Sequence, residues 1–238
     1  MFFSRAVVDL RQAHRVGLSV AGDSDYQGHQ LVWSLFRDHA ERERDFVYRW
    51  DTASQAPVIY VVSEREPQDR EGVFELLTKD FRPSLEKGQR LAFSVRINPV
   101  VKRRDENNKR VVHDVVMNAK KAIKDAGEWS SREFTLLDLA RDEGIKWLTS
   151  TSETDGKTLK SRAEKGGFEV KASSVGAENY VRRTFKKPRN GRGVTFATLD
   201  LHGELVVNDP EAFKHVLFEG IGPTKAYGCG LMMVRPVI

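Results

Sequence analysis

The chain has 238 residues, enough for one large domain or two small ones, with 39% hydrophobic and 31% charged residues, the balance of a globular protein in water. No apolar run reaches the roughly 18 residues needed to span a membrane, and the single cysteine, Cys229, excludes an internal disulfide and any cysteine-cluster metal site. The net charge of +5 is modest, so its distribution says more than its total.

The N-terminal Met1–Val8 stretch, followed by charges and without a long apolar core, reads as a strand over residues 2–10 and not as a signal peptide. Ser24-Asp25-Tyr26-Gln27 matches a capping box, with Ser24 as N-cap and Gln27 at N3. The helix it opens runs to about Phe36, with Leu31, Val32, Leu35 and Phe36 as its apolar face. Phe46–Trp50 and Pro57–Ser63 read as strands, Asp69–Leu77 as a short helix, and Arg90–Pro99 as a strand in which Leu91, Phe93, Val95 and Ile97 alternate with polar partners.

The first hundred residues thus read β-α-β-β-α-β, the order of a ferredoxin-like domain. Residues 101–112, charged and rich in Asn, are expected to be a linker, and 113–238 a second, decorated unit of the same kind. In that half, helical stretches at 134–141 and 147–164 are interrupted by a loop at 149–156. A strand follows at 168–174, then a hairpin pairing 180–186 with 194–201. After a turn at His202-Gly203 comes a strand at 204–207, then a helix opened by Asp209-Pro210 and closed by Gly220, and a final strand at 231–236. The expected class is α+β with two tandem ferredoxin-like (βαββαβ, RAMP-type) domains.

Three constellations carry possible chemistry. The hairpin holds six basic residues between Arg182 and Arg192 (Arg182, Arg183, Lys186, Lys187, Arg189 and Arg192), with no acid between Glu178 and Asp200. Tyr180, Phe185 and Phe196 interleave with that charge. A charge run is usually a solvated face, but uncompensated density of this kind on a two-stranded ribbon suits nucleic-acid phosphates. The loop Gly220–Gly230 contains four glycines, which either permit close approach of backbone N–H groups to a phosphate or simply satisfy positive φ in a turn. It matches neither a Walker A loop nor a dinucleotide fingerprint, because it precedes a strand. Tyr26 and His29, three residues apart near a helix start, flank the apolar face along with Trp33. A phenol and an imidazole there can divide proton removal and donation, although a lone His–Tyr pair is more often structural. The other histidines are scattered without metal-ligand spacing, and neither a Gly-x-Ser-x-Gly elbow nor an acidic cluster for a two-metal nuclease is present.

The N-terminal strand, the Asp25-Tyr26-Gln27-Gly28-His29-Gln30-Leu31-Val32-Trp33-Ser34-Leu35-Phe36 helix, the Arg96-Ile97-Asn98-Pro99 strand end and the Gly220–Leu231 loop together resemble the CasE family, the CRISPR repeat-RNA endoribonucleases of the type I-E Cascade complex. The resemblance covers nearly the whole chain, in outline only over about 101–180. It implies a metal-independent, cofactor-free enzyme that binds the stem-loop of precursor CRISPR RNA and cuts at the 3′ base of the stem. The cut leaves 2′,3′-cyclic phosphate and 5′-hydroxyl ends. The enzyme then stays bound as a Cascade subunit, in the cytoplasm and away from membranes. It places the catalytic pair on His29 and Tyr26. The RNA-binding set falls on Arg182, Arg183, Lys186, Lys187, Arg189 and Arg192 of the hairpin and on Gly222, Lys225, Gly228 and Gly230 of the loop. The competing expectations are a non-catalytic RNA-binding subunit of the same superfamily, which has no use for His29, and a structural module whose positive patch meets an acidic protein.

Overall fold

The computed structural model describes residues 1–17, 25–37, 44–51, 56–154, 157–186 and 193–237, with 25–27, 152–154, 157 and 186 described by backbone alone. In chain order these form β1 (Phe2–Val8), α1 (Leu10–Arg15), α2 (Asp25–Ser34), β2 (Phe46–Asp51), β3 (Val58–Ser63), β4 (Phe74–Asp80), β5 (Arg90–Ile97), β6 (Val100–Arg104) and β7 (Arg110–Asp114). Then come α3 (Val115–Asp125), α4 (Leu136–Thr149), β8 (Ser152–Thr154), β9 (Lys157–Leu159), α5 (Arg162–Lys165), β10 (Phe168–Val170), β11 (Gly176–Lys186), β12 (Gly193–Val207), α6 (Pro210–Glu219) and β13 (Met232–Pro236). No described helix is long and apolar enough to cross a membrane.

The chain divides into two compact units, neither contiguous in sequence. The first comprises Met1–Ser84, Arg183–Thr195 and Lys214–Leu231, and the second Leu85–Arg182, Phe196–Phe213 and Met232–Ile238. The first unit carries an antiparallel sheet in the order β2-β3-β1-β4. β1 alternates Ser4, Ala6 and Val8 inward, and the period of two sets its register from Phe2 opposite Ser63 to Val7 opposite Val58. The expected helical face is confirmed: Leu31, Val32, Leu35 and Phe36 are all at most 2% exposed and pack with Tyr48, Ile59 and Val61 in the core. Burying each such side chain contributes about 1.5–3 kcal/mol.

The second unit carries the order β10-β12-β5-β13, with β11 added on β12. Numbering each sheet's strands by their order within the fold gives the same arrangement, 2-3-1-4, twice, which is the ferredoxin-like topology. Leu91, Phe93, Val95 and Ile97 of β5 point inward as the alternation predicts. Gly144 of α4 allows close packing on this sheet, since a Cβ there would lie 2.9 Å from Leu199 Cδ2.

Four sequence expectations are corrected. Asp69–Leu77 is not a helix. The Asp69 carboxylate accepts from the N–H groups of Val73 (3.1 Å) and Phe74 (2.7 Å), Gly72 sits at φ 65°, and the chain enters β4 directly. Strand 90–97, expected to close the first domain, instead pairs with β12 and β13 in the second sheet, and β4 fills the closing position. Residues 101–112, expected as a linker, form the β6–β7 hairpin, whose turn is tied by the Asp105 carboxylate and by Asn108 at φ 60°. His202-Gly203 is no turn: β12 runs through it, and Gly203 is needed because a Cβ there would lie 3.0 Å from Ser174 O. The Asp209 cap is present as expected, its carboxylate accepting from the N–H groups of Glu211 and Ala212.

Candidate active site

The site lies within the first unit and begins with α2. Gly28 faces the Trp50 ring, 3.6 Å from where a Cβ would stand, so the helix lies close over β2. That approach carries the next residue, His29, half-buried, to the glycine loop. Its Nδ1 lies 2.9 Å from the backbone oxygen of Ala226. The hydroxyl of Tyr48, reaching from β2, donates to the same oxygen at 2.9 Å. A carbonyl only accepts, so Nδ1 carries a proton in either charge state of the ring, and Nε2 is left as the atom that exchanges protons.

The loop's backbone explains why this oxygen points at the histidine. Residues 225–227 make a single 3-10 turn held between two left-handed residues, Thr224 at φ 66° and Gly228 at φ 76°. A non-glycine residue there is a costly conformation, tolerated where the surroundings over-determine it. The base of the loop is closed by the Ile221 N–H donating to Gly230 O at 2.9 Å. Aromatic rings surround the imidazole: Trp33, one helical turn on, meets it edge-on at 6.0 Å, and Tyr227 lies 5.8 Å away. Phe185, next to last in β11 and so near the turn end of the β11–β12 hairpin, meets Tyr227 edge-on at 5.0 Å. The hairpin is thus in contact, through one ring, with the ring beside His29.

The sequence-expected residues fare differently. His29 and the glycine loop are brought together. The Tyr26 side chain lies outside the described residues, as do Lys187, Arg189, Arg192 and the side chain of Lys186. Arg182 is exposed and Arg183 half-exposed. Gly222, Gly228 and Gly230 all have positive φ. Lys225 turns into a cavity of about 460 Å³ that Asp45, Glu64 and Glu219 also line, and burial holds its ammonium below the usual lysine range while Glu219 acts against that.

The aromatic residues interleaved with the hairpin charge are committed to packing. Phe185 and Phe196 are at most 9% exposed, and Tyr180 donates to the Asp114 carboxylate at 2.8 Å. Burial, then that carboxylate, pushes the Tyr180 phenol far above its ordinary range. Sequence reasoning missed Tyr48, the Ala226 carbonyl and Tyr227. Tyr48 reads as an ordinary strand residue, and a backbone oxygen has no sequence signal at all.

Tyr48→Phe removes one of the two donors to Ala226 O and loosens the imidazole's anchor. The expected loss is about 1 kcal/mol, or about fivefold in turnover with substrate affinity unchanged, read as a split between kcat and KM.

Fold and site together define a protein of two tandem ferredoxin-like domains with a histidine anchored on a glycine-rich loop. A family model described as CRISPR associated protein matches residues 1–236, and the chain belongs to that family, within its CasE group. It is 30% identical over 223 residues to the CRISPR-associated endoribonuclease Cse3 of Thermus thermophilus, covering 89% of this chain and 90% of that one. To the CRISPR system Cascade subunit CasE of Escherichia coli it is 25% identical over 218 residues, covering 89% and 92%. The structure of CRISPR endoribonuclease Cse3 bound to a 19 nt RNA superposes with a TM-score of 0.66 at 23% identity, over 99% of this chain and 100% of that one, which supports the fold.

Proposed function

We propose that this chain is a metal-independent endoribonuclease that binds the stem-loop of CRISPR repeat RNA, cuts at the 3′ base of the stem and stays bound as a Cascade subunit. The observation that carries the reading is the Nδ1–Ala226 anchor of His29, which leaves Nε2 as the proton-exchanging atom. The 2′-oxygen of the substrate attacks the adjacent phosphorus as its proton leaves. The bond to the 5′-oxygen breaks, and that oxygen takes up a proton. The products are a 2′,3′-cyclic phosphate and a 5′-hydroxyl. The nucleophile is the substrate's own, so the protein must supply only proton transfer, positioning and charge. His29 and Tyr26 share the two proton transfers. The basic hairpin grips the stem, and Phe185 near its turn bears on Tyr227, the ring beside His29.

The test is a labelled repeat hairpin incubated with the protein in EDTA, its product ends assayed for cyclic phosphate. The same hairpin with a 2′-deoxy nucleotide at the cut site binds and is not cleaved. Cleavage of that deoxy substrate, or dependence on added metal, overturns the mechanism. Uncut ribose substrate with intact binding favours the non-catalytic RNA-binding subunit.

Charge reversal at Arg189 and Arg192 together is expected to weaken stem binding. The dependence of log affinity on log salt should become shallower by about 2, near 0.9 for each phosphate that is no longer neutralised. Unchanged affinity and slope in a salt titration would reduce the hairpin to a solvated loop.

A further inference from the structure

The second unit holds a cavity of about 870 Å³, open on one side, where β6, β7, α4, α5 and the segment before α5 converge. Eight Lys and Arg side chains line it, against a single carboxylate among the described residues, Glu143. That carboxylate is already taken by Lys146 at 2.7 Å. Nearby acids are occupied too. Glu164 is held by its capping box with Ser161, and the Asp105 carboxylate accepts from the N–H groups of its own turn.

Ligand pockets of this size are usually lined mainly by apolar groups with a few polar ones. Here Lys102, Arg103, Arg110, Lys160 and Lys165 are all exposed at the rim. Arg104 and Arg110 stand directly opposite each other across the hairpin, a pairing of like charges that destabilises an isolated sheet. An arrangement that repels itself in this way is relieved by a bound polyanion.

Two features favour a nucleic-acid strand over an acidic protein face. Lys102 and Arg104 lie two residues apart on β6, hence about 7 Å apart along one face. Cations spaced along one face in this way can meet successive phosphates of a strand. On the cavity wall the guanidinium of Arg162 lies over the Trp147 ring, its Cζ 4.0 Å from the ring centre, and is pinned by an N–H donated to Trp147 O at 2.8 Å. The indole is itself fixed by donating to Val100 O at 2.9 Å. A guanidinium plane held in this way is a surface on which a base stacks, a contact that an acidic protein does not need.

We infer that this cavity binds the backbone of a single-stranded RNA segment flanking the repeat stem-loop, an inference that rests on the proposed function for the identity of the RNA. The site adds to stem binding without sequence preference, and it acts on precursor and product alike wherever a flank is present.

The test uses the full chain and the triple variant Lys102→Ala, Arg103→Ala, Lys160→Ala. These side chains take no part in the site around His29. The probes are an uncleavable 2′-deoxy repeat stem-loop, the same stem-loop carrying a single-stranded extension, and the extension alone at low salt. The wild type binds the extended RNA more tightly than the bare stem-loop. The variant loses about twentyfold on the extended RNA, the size of the effect a fourfold salt increase has on three phosphate contacts at about 0.7 each. It binds the bare stem-loop as the wild type does. Equal loss on both stem-loop probes, or no loss on either, overturns the inference. So does a variant that binds every RNA normally but fails to join an acidic protein partner. The extension alone does not depend on the stem-loop: if the wild type retains it and the variant does not, the cavity stands even where stem-loop recognition fails.

Discussion

His29→Ala lowers the single-turnover cleavage rate of a repeat hairpin by about 10²–10⁴-fold, the range lost when a positioned acid or base is removed. Affinity for the uncleavable hairpin stays within about twofold, because the imidazole contributes one contact among many phosphate contacts. Rate and affinity are measured on the same preparation in EDTA, so a folding defect shows as a loss of both. The supporting comparison is Tyr48→Phe, whose small effect on turnover separates anchoring the ring from exchanging the proton. Wild-type cleavage by the alanine variant places the chemistry elsewhere.

Arg96→Met has the largest expected effect on stability. Arg96 meets Asp200 through two parallel contacts, Nε to Oδ1 at 2.7 Å and an Nη to Oδ2 at 2.8 Å, with side-chain exposures of only 15% and 7%. Asn179, at φ 52°, donates to the same carboxylate at 3.2 Å. Taking the cation away leaves a carboxylate in a place water barely reaches, and the expected cost is about 3–5 kcal/mol of unfolding free energy, read from the denaturant midpoint. The exposed pair Arg82–Asp80 meets through Nη2 and Oδ2 at 2.9 Å and lies in solvent, so Arg82→Met costs under about 1 kcal/mol. Equal effects from the two variants would contradict the role of burial.

What the sequence made legible follows from which physical signals are local. The apolar face of α2 and the alternation of β5 are set by side-chain periodicity, and both sit in the core as expected. The Asp209 cap and the Gly220 stop are likewise local. The allocation of β5 to a sheet is not local. Its pattern says that one face is buried, not which partner buries it, and a β-α-β-β-α-β order could be completed by β4 or by β5. A helix assigned over Asp69–Leu77 made the wrong completion attractive. Gly72 at φ 65° was the signal against it. The same division holds at the site. His29 stood out as a titratable group on a helix flank. Its anchor, by contrast, is a backbone oxygen placed by Thr224 in a left-handed conformation that its side chain does not favour.

The bond from His29 to Ala226 spans 197 positions of sequence. At about 5–20 residues per second of synthesis, the histidine leaves the ribosome some 10–40 seconds before its acceptor exists. Through that interval the first sheet can pair, since β1 to β4 are all complete by Asp80, yet the imidazole still lacks the Ala226 oxygen that its Nδ1 meets in the finished fold. A nascent chain can therefore hold a paired first sheet before the rest of that unit exists, and a chain truncated before the glycine loop never gains the bond from His29 to Ala226. The anchor of His29 is completed only once the glycine loop has been synthesised.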